Sequence, residues 1–422
     1  MAKKRMNFII GKGTSAPVSK KGANRRGKKP AEGDAADVKI KAKEPGLRIF
    51  DGSMDILFFT IIIVLMVYGI VMMFSASYME GILKYNDGYK YVKTQAMAAV
   101  LGVILMLFIS FFDYHIFMNS NVVIIGYSVM LLLLTYTSFF GRAEHGARRW
   151  IDIFGQSFQP SEAMKPVLII FMAFLAVKND KHLNVFTKGS LPFLIAMGPV
   201  CVNMVLQRHI SGLLIMGLIG AFVIVLSGMP WKDIIRVGAI LAVLGLIAML
   251  LYSVAKGGGL SYIFDRFASK GSVEDGVIND DTWQTAQSLI AMGSGGWFGL
   301  GFGESRQKYL WLPESQNDFI ISIIVEELGY IGGMTVLVLF GLFIYRGFRI
   351  ASKAPDKFGM LIVSGITFQI GLQAILNIGV ACNAFPNTGV SLPFFSSGGT
   401  ALMIQLAEMG VILGVSRQCE NI

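Results

Sequence analysis

The strongest constraint on this chain is a succession of long runs that are hydrophobic on every side. They lie at residues 56–74, 96–112, 122–140, 164–177 (extending back toward Gln159), 191–206, 210–227, 237–254, 319–345, 360–378 and 401–415. An amphipathic stripe leaves one face for water, whereas a helix apolar all round needs lipid or protein on each side. At 1.5 Å rise per residue, about 20 residues cross the hydrocarbon core. The runs therefore predict an all-α polytopic membrane protein with about ten transmembrane helices and a long extracellular loop between the seventh and eighth. Charge agrees: 15% of the 422 residues are charged, against about 25% in a typical soluble chain.

The net charge of +10 sits in one tail and in short connectors. That placement argues for anionic lipid and membrane orientation rather than nucleic acid. Residues 1–50 are basic and rich in Gly, Ala and Pro; they bury too little apolar surface to fold alone and are expected to be a disordered cytoplasmic tail preceding a membrane domain over 51–422. With the tail inside, the segments at 178–188, 229–236 and 346–357 also fall inside, and their Lys and Arg content is self-consistent with that. Both termini are then cytoplasmic. The outer side receives residues 141–161, 256–317 and 379–399. These are dense in Trp, Pro, Gly and charge, unlike mere connectors.

Cys201, Cys382 and Cys419 are far apart, and the four histidines are scattered, so neither a disulfide framework nor a metal centre is indicated. In the first outer segment, Arg148, Arg149 and Trp150 precede Gln159, Pro160, Ser161, Glu162 and Lys165. Pro160 reads as a helix start. Glu162 and Lys165, three apart, share a helical face. The plainer reading is an interfacial anchor with a structural ion pair; the functional one gives Arg148, Arg149 and Lys165 to an anionic head group. The second outer segment carries Arg266, Asp275, Asp280 and Asp281, then Trp283, Gln284, Gln287 and Ser288, then a Gly-rich stretch to Gly303, and finally Arg306, Lys308, Glu314 and Asp318. No strand precedes the glycines and no P-loop is present, so a nucleotide site is excluded; the glycines are expected to let backbone N–H groups approach an anion or lipid head. Glu326 and Glu327 lie inside the following apolar run, where a carboxylate has a functional or buried-network role. The third segment, with Asn377, Pro386, Thr388, Gly389, Pro393 and Ser396, is dense enough in Pro and Gly to form a re-entrant or lip-like loop.

Together and in this order, these segments resemble the SEDS family (shape, elongation, division and sporulation), which includes FtsW, RodA and SpoVE. The resemblance is carried by Arg149-Trp150-Ile151, Gln159 to Glu162 with Lys165, Gln287 to Gly296, Arg306 to Leu310, Leu312-Pro313-Glu314, Asn317-Asp318-Phe319-Ile320, Glu326 to Gly329, and Pro386 to Gly399. Phe74-Ser75-Ala76-Ser77 also fits, and the match covers the chain from residue 51 onward. The Gln316-Asn317-Asp318 wording is nearer FtsW and SpoVE than RodA.

The resemblance implies a peptidoglycan glycosyltransferase that polymerises lipid II into β-1,4 strands at the outer face of the cytoplasmic membrane, in cell division or sporulation. It implies work with a class B penicillin-binding protein and other division or sporulation membrane proteins. Asp275 is the nearest match to the family's catalytic carboxylate, with Asp280 and Asp281 as alternatives. Substrate binding would fall to Arg148, Arg149, Glu162, Lys165, Arg266, Gln284, Gln287, Ser288, Arg306, Lys308, Glu314, Asp318, Pro386, Thr388, Gly389 and Ser396. No cofactor is implied; a divalent cation on the pyrophosphate is compatible with the chemistry, but no carboxylate cage for one is visible. The chain departs from the family wording at Gln207-Arg208-His209, where Pro and Asp usually follow Gln, and at Ser397, where Tyr is common. Two other readings stand beside the enzyme: a flippase or transporter of lipid-linked precursor, which would use Glu326 and Glu327, and a non-catalytic assembly subunit.

Overall fold

The computed structural model describes residues 52–144, 147–153, 155–256, 282–387 and 389–419, the side chains of 144 and 248–256 excepted. The expected tail, Arg266, the three candidate base residues and Thr388 lie outside these described residues. Among those described, eleven α-helices follow one another: α1 (Ile56–Tyr85), α2 (Lys90–Ser110), α3 (Ser120–Phe140), α4 (Pro160–Lys178), α5 (Ser190–Leu206), α6 (Ile210–Leu226), α7 (Trp231–Lys256), α8 (Trp283–Gly295), α9 (Ile320–Ser352), α10 (Lys357–Ala381) and α11 (Gly399–Ser416).

Seven of these helices, α1 to α4 and α9 to α11, are long and apolar enough to cross a membrane, and α5 and α6 are shorter apolar helices of 17 residues. Their outward faces are as apolar as their buried ones. On α1, Phe58, Ile62 and Leu65 are buried, while Val64, Val67 and Val71 are exposed. That is the pattern of a helix solvated by lipid, and the chain is a multi-pass membrane protein. Starts follow ordinary capping chemistry. Asp55 accepts the Phe58 N–H at 2.9 Å, Asp356 accepts the Gly359 N–H at 2.7 Å, and Pro160 opens α4, where no backbone N–H is needed.

Two local features differ from the sequence expectation. The connection from α3 to α4 holds a small antiparallel sheet of β1 (Arg142–Glu144), β2 (Ala147–Ile153) and β3 (Gln156–Phe158). The branched and aromatic residues of β2 suit a pleated surface, and Gly155, at φ 76°, supplies the left-handed turn before β3. The segment read as a glycine-rich loop begins with α8, because the stretch from Trp283 to Met292 lacks a helix breaker.

The end of the bundle opposite α8 and the sheet is fastened by charge. Asp55 meets Arg346 at 2.7 Å and donates its N–H to the Ser416 hydroxyl at 3.2 Å. His115 places Nδ1 2.6 Å from Asp113 and Nε2 2.6 Å from Asp356. Both nitrogens face carboxylate oxygens, so both carry protons. The Asp356 hydrogen bond leads in raising the His115 pKa to about 9, against the opposing effect of burial, with Asp113 adding to it. Burial would push the Asp356 carboxyl up, but its bonds from His115, the Gly359 N–H and Tyr114 outweigh that and hold it low.

Candidate active site

α9 is broken at Gly329, whose φ of 70° and ψ of −172° are not helical. The break frees two carbonyls, and the chain after α8 fills them: Leu300 N–H donates to Glu326 O at 2.9 Å and Gly301 N–H to Glu327 O at 3.0 Å. In return Tyr330 N–H donates to Gly296 O at 2.9 Å. Backbones come this close because Gly299 and Gly329 lack side chains; a Cβ at Gly299 would lie 2.1 Å from Glu327 O. The glycines thus serve close approach to α9's own carbonyls, a packing role within the chain.

The side chains of Glu326 and Glu327, both fully buried, hold the rest of this connection. Glu326 accepts the Arg306 N–H at 3.0 Å and the Ser305 hydroxyl. Glu327 accepts the Ser75 hydroxyl at 2.7 and 2.8 Å and pairs with Lys308 at 3.0 Å. Lys308 also donates to Ser75 at 3.2 Å and to Gly303 O. Lys308 is therefore buried in an internal pair. The structure presents it to Glu327, where the resemblance would give it to substrate.

The same end gathers the motif residues of the third segment. Ser288 of α8 donates to Ala381 O at 2.8 Å, so the 2.6 Å contact with Ser322 is donated by Ser322. Gln284 accepts from Asn387 at 2.8 Å. Asn377, buried in α10, donates to both Asp318 O and Val390 O at 2.7 Å, and Ser396 donates to Asn317 O at 2.6 Å while accepting the Leu392 N–H at 2.7 Å. Residues 389–398 dip into the bundle: the Phe394 carbonyl abuts Gly69, near the middle of α1, and Gln95 of α2 bonds Ser396 O at 3.2 Å and Gly398 N–H at 3.1 Å. This is the re-entrant loop that the prolines and glycines predict. Pro386, Gly389, Asp318, Gln284, Gln287 and Ser288 thus share one end, and Gly389 lies beside the Asp318 carboxylate.

The first segment reaches the same end through Thr400, which donates to Ser157 O at 2.9 Å. Arg148 donates to Phe139 O, and Arg149 donates to Arg208 O at 2.7 Å. Arg208 has φ 51°, a left-handed turn between α5 and α6. Lys165 pairs with Glu162 at 2.7 Å, both largely buried. The sequence reading missed a polar row that continues from here. Gln369, Gln373 and Asn377 are buried at helical spacing on α10, and Gln369 donates to the buried Glu408 of α11 at 2.9 and 3.0 Å. Glu408 inside an apolar run was the available signal. Arg306 and Glu314 lie in the connection above α9, where Glu314 accepts from Asn317.

The family model described as "Cell cycle protein", for FtsW, RodA and SpoVE, matches residues 55–421. The chain belongs to the FtsW/RodA/SpoVE family. A curated relative from Bacillus subtilis, "Stage V sporulation protein E", is 34% identical over 366 residues, covering 86% of this chain and 97% of that one. "Probable peptidoglycan glycosyltransferase FtsW" from Geobacter sp. (strain M18) is 32% identical over 362 residues, covering 86% and 96%. Among solved structures, a chain from "Structural coordination of polymerization and crosslinking by a peptidoglycan synthase complex" aligns with TM-score 0.67 at 23% identity, covering 88% of this chain and 99% of that one. The rod shape determining protein RodA of Thermus thermophilus aligns with TM-score 0.61 at 24% identity, covering 88% and 99%. These likenesses carry the FtsW/RodA/SpoVE fold over to the bundle described above.

Proposed function

We propose that this protein is a peptidoglycan glycosyltransferase, polymerising lipid II into β-1,4 glycan strands at the outer face of the cytoplasmic membrane, in cell division or sporulation. The observation that carries this reading is the convergence of three motif-bearing segments at one end of the bundle. The polar surface there includes Gln284 bonded to Asn387 and Ser396 bonded to the Asn317 carbonyl, above the buried Ser288, and Thr400 bonded to the Ser157 carbonyl brings in the first segment. Sugar hydroxyls and phosphates need such a surface, with donors and acceptors fixed before substrate arrives. That end is outer and both termini are cytoplasmic, by the distribution of Lys and Arg.

In the reaction, the 4-hydroxyl of one disaccharide's GlcNAc attacks the MurNAc anomeric carbon of another chain, and undecaprenyl pyrophosphate leaves. A carboxylate takes the hydroxyl proton, and cationic groups stabilise charge on the pyrophosphate. Asp275 is proposed as the base, with Asp280 and Asp281 as its alternatives, and Arg148, Arg149 and Arg306 as cations near the leaving group. A class B penicillin-binding protein is the proposed partner. The flippase reading loses its best residues, because Glu326 and Glu327 are engaged in holding the α8–α9 connection.

The test is polymerisation of lipid II by the purified protein with its transpeptidase partner. Strands from wild type and none from Asp275→Ala support the assignment. Strands from both move the base to Asp280 or Asp281. Strands from neither, with the partner bound, overturn the enzyme reading.

A further inference from the structure

α8 and the chain that follows it enter the bundle beside α9 and turn back. Ser288 meets Ser322 in the first turn of α9, and Gly295 abuts Val325. Trp297 then reaches the level of Gly329 and Tyr330, where its carbonyl lies 2.4 Å or less from the position a Gly329 Cβ would take. From Ser322 to Tyr330 is about 12 Å along a helix axis, so the connection descends that far before returning. A non-helical backbone survives at membrane depth only if its polar groups are met by protein. Here they are, through Leu300 to Glu326 O, Gly301 to Glu327 O and Gly299 to Gly295 O.

The side chains at the tip face the other way. Trp297 is 73% exposed and Phe298 81%. The Trp297 ring packs edge-on to Tyr330, with centroids 5.9 Å apart, and continues a groove of about 320 Å³ that includes Ile331, Met334 and Val338. Those residues lie on the outward, lipid-facing stripe of α9, which runs from Tyr330 to Tyr345. The stripe covers about 22 Å of a hydrocarbon core of about 30 Å, with a tyrosine, a residue type enriched at membrane interfaces, at each end. Above Tyr330 the face changes, since Ile320 to Glu327 are wholly buried in protein.

We infer that Trp297 and Phe298 are a lipid-binding tip, seated at the edge of the outer leaflet's hydrocarbon, which fixes the depth of the α8–α9 connection. The occupant is bilayer lipid, because the tip is continuous with the membrane face of α9. Exposure alone does not define the tip. Trp311 is 58% exposed, but its carbonyl accepts from Trp283 at the far end of α8, at 3.0 Å, beyond the start of α9. It belongs in water. The inference rests on the chain's membrane-spanning helices and not on the proposed activity.

The experiment uses the full-length protein alone in vesicles of phosphatidylcholine brominated on its acyl chains, with iodide as the aqueous quencher. Variants retain only Trp297 or only Trp311, the other tryptophans being replaced by Phe. Expected is several-fold stronger bromine quenching of Trp297 than of Trp311, and the reverse order with iodide. Equal bromine quenching of the two, iodide quenching of Trp297 as strong as that of Trp311, or no quenching of Trp297 by either agent overturns the assignment. If a single-tryptophan protein does not fold, Trp297→Phe in the otherwise native chain replaces it. Loss of most of the bromine-quenchable emission then supports the assignment, and its retention overturns it.

Discussion

Replacing Glu327 with Gln keeps its volume and removes the charge that meets Lys308. Lys308 stays 6% exposed at its side chain, with neutral acceptors (the Gln amide oxygen, Ser75 and Gly303 O) and the Tyr309 ring, 6.0 Å away, but no counter-charge. Breaking a buried pair by removing one member costs about 3–5 kcal/mol, mostly the penalty of an uncompensated buried ion. The cost falls on the segment the pair holds, residues 296–311, rather than on the whole bundle. With 1.4 kcal/mol per tenfold, local opening becomes roughly a hundred- to a few thousand-fold more frequent. Hydrogen exchange read on peptides covering 296–311 in micelles should speed up by that factor, with peptides of α10 and α11 unchanged. Glu327→Leu combined with Lys308→Met removes both charges and should recover most of the protection. Exchange in Glu327→Gln within about threefold of wild type would show that the pair does not hold the segment. A double variant as open as the single one would shift the credit to the Ser305 N–H, 3.3 Å from the carboxylate.

Other outcomes follow from the same geometry. His115 has a raised pKa, so its contribution is complete below about 6.5 and is lost as pH rises through about 9. With a third of the side chain exposed, this amounts to about 1–2 kcal/mol after screening. Thermal unfolding scanned from pH 7 to 10 should show the loss, and His115→Gln should flatten it. Gly299→Ala combines φ 80° with a backbone clash and should abolish a monodisperse product, whereas Gly303→Ala, at φ 84° with open space, should cost about 1–2 kcal/mol; size-exclusion profiles and melting curves separate the two. Asn377→Leu leaves two carbonyls without their donor and should cost about 2–4 kcal/mol. Lipid II polymerisation should fall sharply in that variant at a temperature where it remains folded.

The spans were legible because lipid imposes one rule over whole runs. Residues 122–140 and 210–227 could be little other than helices, and α3 and α6 occupy them almost to the residue. Boundaries drifted where helices leave the lipid and composition stops reporting. α1 continues to Tyr85 through Glu80 and Lys84, which pair with one another. α8 was hidden because its glycines follow closely, and the break in α9 because Gly329 sits in an apolar run that would tolerate a helical glycine. Glu326 and Glu327 were conspicuous in the sequence, but their purpose depends on Ser305 and Arg306, some twenty residues upstream, and for Glu327 also on Ser75 in the first helix. Lys308 was given to substrate by the resemblance, and its buried partner Glu327 lies nineteen residues further along the chain. Asp275, Asp280 and Asp281, outside the described residues, are assigned by resemblance.

The contacts that close the bundle join its two ends in sequence as well as in space. Asp55 needs Arg346 and Ser416, Gly52 O receives Arg417 at 2.8 Å, and Gln95 needs Ser396 and Gly398. A ribosome adding about 5–20 residues per second takes on the order of 20–70 s to travel from Asp55 to Arg417. For most of that interval the first two helices are made while the Asp55 carboxylate awaits Arg346 and the Gln95 amide awaits Ser396 and Gly398. A chain cut short before α11 would hold Arg346, Ser396 and Gly398 but would lack Ser416 and Arg417, leaving the Asp55 N–H and the Gly52 carbonyl at the head of the first helix without their partners, so the last eighteen-residue helix completes the closure of the first.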